Sequence, residues 1–166
     1  IFNRRWYLSL FKGKYNLIRI ITNLLDILLI LSFLTTAICG MSMSNHAVSF
    51  LYGMLPISFA RQTHLALSYW SFVLMGIHLG FHLEMILNKY KLNNKIIEIC
   101  LFIMAVIGLI CFINNNIFDY MFFKAPFAYF DYDKAGVIVL LENIMMLMLF
   151  VYASYVIMKF IRKNND

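Results

Sequence analysis

The chain has 166 residues, of which 63% are hydrophobic and only 13% are charged. Soluble domains are about half apolar and about a quarter charged, so this composition excludes an ordinary soluble protein and favours a small membrane domain in a lipid bilayer. The formal net charge of +6 comes from Lys and Arg residues that flank apolar segments, which is typical of contact with anionic lipid head groups and not of nucleic-acid binding.

The first predicted element is an amino-terminal segment, residues 1–18, in which aromatic, aliphatic and basic residues are mixed as in a helix lying on a membrane surface. Four apolar segments long enough to span a bilayer follow, at about residues 20–40, 64–87, 96–113 and 136–160. No alternating barrel pattern is present, so these segments are predicted to be helices. We expect a single all-α domain over residues 1–166, a membrane-embedded four-helix bundle with interfacial segments.

Lys and Arg residues are distributed unevenly between the two sides of this predicted bundle. Eleven belong to the termini and to the connection at residues 89–95, whereas Arg61, Lys124 and Lys134 belong to the other two connections. Cytoplasmic connections carry the excess of Lys and Arg in membrane proteins. We therefore predict a multi-pass protein of the cell membrane with both termini in the cytoplasm.

Three of the four histidines lie in the second apolar segment. At 100° per residue, His78 and His82 fall within about 40° of His64 around a helix axis, and at 1.5 Å per residue they lie about 21 and 27 Å from it. The fourth, His46, follows the first segment and could approach His64. Ionisable residues at membrane depth indicate function, and neutral imidazole is a common ligand of haem and of metals.

Three interpretations of this histidine face remain open. One or two haem b groups would need further axial ligands, because His78 and His82 on one helix cannot sandwich one iron, and methionines or a second copy of the chain are candidate sources. Alternatively, His78 and His82 could chelate a metal ion, with Asp26 or Glu84 nearby. The third interpretation is a scaffold without a cofactor, in which the histidines form hydrogen bonds between helices.

Arg61, Asp26 and Glu142 are candidates for supporting roles at such a site. Arg61 could pair with a haem propionate or anchor in lipid head groups. Asp26 is expected at the depth of His82, where it could orient an imidazole or transfer a proton to a quinone, and Glu142 at about the depth of His64. Either acid could instead reach interfacial water. No phosphate-binding loop, nucleophile elbow or catalytic residue is recognisable, so any catalysis would be redox chemistry.

The stretch SMSNHAVSFLYGMLPISFARQTHLALSYWSFVLMGIHLGFHLEM resembles the flavinylation-associated cytochrome family, a family of four-helix membrane proteins. The matching residues are Ser44, His46, Phe50, Ala60, Arg61, His64 and the run SYWSFVLMGIHLGFH, which contains His78 and His82. They cover about a quarter of the chain, and the four-span layout agrees over the rest. Leu83 stands where the family often has Trp.

This resemblance implies a subunit like a b-type cytochrome, whose partners are outward-facing flavoproteins that carry covalently bound flavin. It also implies candidate haem ligands, which are His46, His64, His78 and His82. With it, the favoured function is electron transfer across the membrane.

Overall fold

The computed structural model describes residues 17–46, 48–92, 95–129 and 131–163. These residues form five α-helices and one short 3-10 helix, and no strand occurs among them. The helices are α1 (Leu17–Met43), α2 (Ile57–Lys89), α3 (Lys95–Asn114), α4 (Ile117–Met121) and α5 (Gly136–Lys163), with the 3-10 helix at Ser49–Leu51. The all-α prediction is confirmed, whereas the predicted interfacial helix in residues 1–18 lies almost entirely outside the described residues.

Four of the helices, α1, α2, α3 and α5, are long and apolar enough to cross a membrane. Many of their large apolar side chains are exposed, including Leu24, Ile27 and Ile30 on α1. Exposed apolar surface on this scale is costly in water and is the normal outer surface of a protein in lipid. The four-helix layout and a bilayer environment therefore follow from the structure.

Helix α2 begins seven residues before the predicted second span. Its first residue is Ile57, and the carbonyl oxygen of the preceding Pro56 accepts the N–H of Ala60 at 2.9 Å. Proline is favoured at a helix start because it has no N–H to leave unpaired there. Hydropathy alone placed the boundary too late, because polar residues such as Arg61 lower the mean hydropathy without preventing a helix.

The helices pack in the spatial order α1, α2, α5, α3. The chain direction makes α1 antiparallel to α2, α2 parallel to α5, and α5 antiparallel to α3. The connections at residues 44–56 and 115–135 share one end of the bundle, which we call the long-loop end. The connection at residues 90–94 lies at the other end, which we call the short-turn end.

Glycines allow close contact between α5 and its two neighbours. A Cβ atom on Gly76 of α2 would lie 2.8 Å from the Cβ of Phe150, and one on Gly80 would overlap Ser154 and the carbonyl oxygen of Val151. On α3, a Cβ on Gly108 would overlap the backbone of α5 in the same way. Small residues at four-residue spacing let membrane helices approach backbone to backbone. Helix α2 is therefore held against α5 on one face and against α1 on another.

Candidate functional site

Two histidines of α2 are held by hydrogen bonds to α1. The Nδ1–H of His64 donates to the carbonyl oxygen of Thr36 at 2.8 Å, and Nδ1 of His78 lies 2.8 Å from Oδ1 of Asp26. A carbonyl or carboxylate oxygen can only accept, so both rings carry their proton on Nδ1. When such a ring is neutral, the lone pair on Nε2 is left for a ligand, which is the usual arrangement for a metal-binding imidazole.

The imidazole of His64 fits against a glycine of the facing helix. A Cβ atom on Gly40 would lie 3.0 Å from Cε1 and 3.2 Å from Nδ1 of His64. Both distances are shorter than ordinary van der Waals contact, so a larger residue at position 40 would push the ring away. Gly40 and the Thr36 carbonyl together fix the ring position.

At the inner level, Asp26 is paired with a histidine of α2. Its predicted depth allowed contact with His82, and in the structure its carboxylate pairs with His78. The ring of His82 lies one helical turn further on and makes an edge contact with the His78 ring, at 4.9 Å between centroids. The side chains of His78 and Asp26 are 37% and 35% exposed, so a bound group could reach this level from the outside of the bundle.

The predicted face on α2 is confirmed for His64 and His78, since both contact α1. Because α2 is an unbroken helix, the two residues are separated by about 21 Å along its axis. Between these levels Ser71 donates a hydrogen bond to Ser32 at 2.9 Å. A cavity of about 230 Å³ also lies there, lined by Phe33, Thr36, Ser68, Ser71, Phe72 and Met75.

His78 and His82 are also the pair for which metal chelation is predicted. In the described ranges of the chain, no three His, Cys, Asp or Glu side chains are grouped so that they could hold one ion. The rings of His78 and His82 lie 4.9 Å apart between centroids, and metal binding by this pair stays a prediction.

The other predicted site residues are distributed around the long-loop end. His46 follows α1 with an exposed side chain. The guanidinium of Arg61 lies 5.1 Å from the ring centre of Phe127, in the connection before α5, which is cation–π geometry. Glu142 on α5 pairs with Lys134, whose Nζ lies 2.5 and 2.6 Å from the two carboxylate oxygens. A role for Glu142 at a haem propionate or in proton transfer stays a prediction.

A second polar region was missed by the sequence analysis. Three consecutive asparagines lie at the junction of α3 and α4, and they line a cavity of about 620 Å³ together with Glu142 and Lys134: Asn114, Asn115 and Asn116. Three adjacent amides at the end of an apolar helix are the sequence signal that could have revealed it. The facing partners on α5 could not be identified without knowing how α3 and α5 are aligned.

Comparison with known proteins adds no further assignment. No protein-family model, curated protein or solved structure matches the chain.

Proposed function

We propose that the chain is a transmembrane electron-transfer subunit in which His64 and His78 each supply one axial ligand to a b-type haem. The observation that supports this proposal is the hydrogen bond at Nδ1 of each ring, which leaves Nε2 as the ligand atom at two depths of the same helix. Bound haem would supply one-electron redox chemistry. The chain itself holds each imidazole in one tautomer and in one orientation.

The residues around His64 and His78 have the chemistry and the positions that this role requires. Thr36 and Gly40 hold His64 near the long-loop end, and Asp26 holds His78 nearer the short-turn end. Asp26 lies against Nδ1 of His78, and a carboxylate at this position is a common way of orienting a ligating imidazole and tuning a bound metal. Two positions about 21 Å apart along the helix axis would carry electrons across most of the bilayer.

The distribution of Lys and Arg gives the direction of electron transfer in this proposal. With the basic short-turn end and both termini in the cytoplasm, electrons would enter near His78 and His82, from quinol or a cytoplasmic donor. They would leave near His64 and His46 towards an outward flavoprotein. A methionine, His46 or a residue of a second copy of the chain would help to hold each haem.

A haem-free scaffold is the second candidate, and the same hydrogen bonds favour it. His64 and His78 join α1 to α2, and interhelical hydrogen bonds of this kind stabilise membrane bundles without any cofactor. On this interpretation the histidines act only through stability, and the purified protein would carry no redox centre.

An absorption spectrum of the purified protein, oxidised and then reduced with dithionite, separates the two candidates. Expressed with haem supplied, the wild-type chain should show a sharp reduced alpha band. His64→Ala and His78→Ala should each remove about half of the bound haem, and the double variant should remove nearly all of it. His82→Ala is the matched control on the same helix and should retain the band. A colourless, folded wild-type protein would contradict the haem proposal and support the scaffold.

A further inference from the structure

The cavity at the long-loop end is separate from the histidine face. Its volume of about 620 Å³ is in the range of small-molecule sites. It is bounded by α2, α3, α4, α5 and the connection before α5, and its contribution from α2 is Tyr69. Tyr69 lies about 140° around the helix from His64, so this cavity and the candidate haem ligand occupy different faces of α2.

The charges in the lining disfavour an anionic ligand. Lys134 provides the only ammonium group among the lining residues, and both carboxylate oxygens of Glu142 already contact it. The amide nitrogen of Asn115 also lies 3.4 Å from this carboxylate. Asp131 adds an exposed carboxylate to the lining. The lining therefore carries one net negative charge, and its one cation is neutralised by a protein partner.

Neutral amide and phenol groups dominate the rest of the polar lining. The amide nitrogen of Asn143 donates to the Val139 carbonyl at 2.8 Å, which leaves its amide oxygen as an acceptor. The hydroxyl oxygen of Tyr120 accepts the backbone N–H of Tyr129 at 3.2 Å, which leaves its proton to donate. Hydrogen-bond acceptors and donors thus belong to the same cavity lining, as a ligand with several hydroxyl groups requires.

An apolar wall completes the cavity. The rings of Tyr69 and Tyr120 stack at 5.3 Å between centroids, and the lining also includes the buried side chains of Ile117 and Met146. A ligand that packs here must present C–H surface to the wall and hydroxyl groups to the amides. A saccharide ring has both kinds of surface.

We propose that this cavity binds a neutral, hydroxyl-rich saccharide ring, either as a free sugar or as the head group of a glycolipid. The amides, the phenols, the neutralised lysine and the aromatic wall support this site independently of the electron-transfer proposal. The site could bind a sugar whether or not His64 and His78 hold haem.

Binding can be measured on the full chain in phosphatidylcholine nanodiscs, which avoids sugar-based detergents. The probes are tritiated glucose, galactose and maltose, and glucosyl diacylglycerol added to the nanodisc lipids and detected by native mass spectrometry. Saturable binding of a free sugar would assign the site to soluble saccharides, and retention of the lipid alone would assign it to glycolipids. The absence of binding by all four probes would overturn the proposal.

Variants connect the binding to the cavity. Asn143→Ala and Tyr120→Phe each remove one hydrogen-bonding group and should raise the dissociation constant about tenfold. The control variants Asn45→Ala and Tyr152→Phe remove the same kinds of group outside the lining and should leave the dissociation constant unchanged. Circular dichroism checks that all four variants fold. An unchanged dissociation constant in both lining variants would contradict the assignment. The assignment would also be contradicted if tritiated choline bound to the protein and the lining variants abolished that binding, because this would indicate a cation site.

Discussion

At the scale of single residues, the hydrogen bonds of His64 and His78 carry the functional interpretation. Helical periodicity was enough to predict that these histidines share a face. Their partners could not be predicted, because they depend on how α1 is aligned along α2. The alignment found in the structure places Asp26 beside His78 and not beside His82, and it brings the Thr36 carbonyl to His64.

Asp26→Asn tests the role of the carboxylate at the inner level. The amide oxygen of Asn can still accept the His78 Nδ1–H, so the ring should keep its orientation while the negative charge is lost. Loss of the negative charge beside the ligating ring should raise the midpoint potential of the bound haem by about 60 mV, which is a tenfold change in the equilibrium constant of a one-electron couple. Redox titration of the absorption band measures this shift.

Glu84→Gln is the matched control, because Glu84 is an acid of α2 near the same end and pairs with Arg162 on α5. Its midpoint potential should stay close to the wild-type value. An equal shift in both variants would show a general charge effect, and it would remove the argument for a specific contact between Asp26 and His78.

At the scale of helices, the sequence predicted the number of spans but gave little about their packing. The apolar runs were recognisable because a bilayer demands about 20 such residues. The early start of α2 was missed, because hydropathy does not detect polar residues in a helix. Gly76 and Gly80 form a small-residue pair that could have predicted a close helix contact, although not that α5 would be the neighbour.

Gly80→Ala should weaken the packing of α2 on α5. The added methyl group would overlap Ser154 and the Val151 carbonyl oxygen, and backbone atoms cannot move aside as a flexible side chain can. We expect the free energy of unfolding in a detergent titration to fall by about 1–3 kcal/mol.

Gly136→Ala is the control, because a Cβ atom there would meet nothing within 4 Å. It should change the free energy of unfolding by less than about 0.5 kcal/mol. Equal stability of the two variants would show that α2 and α5 do not pack through Gly80.

At the scale of the whole molecule, helix α2 connects the long-loop end of the bundle to the short-turn end. Helix α2 places His64 towards the long-loop end and His78 towards the short-turn end, with α1 supplying the hydrogen-bond partner of each. The polar cavity lies on the other side of α2, among α3, α4 and α5. The composition predicted the bilayer, whereas the division into two separate polar regions required the packing order of the helices.

Electron transfer through a sealed membrane tests the central claim most directly. Proteoliposomes would trap ferricyanide inside, with dithionite outside and a protonophore present to dissipate the charge that builds up. The wild-type protein should reduce the trapped ferricyanide much faster than protein-free vesicles do. The double variant with His64→Ala and His78→Ala, inserted to the same extent, should not. A wild-type rate equal to that of the double variant would contradict a role for these histidines in carrying electrons across the membrane.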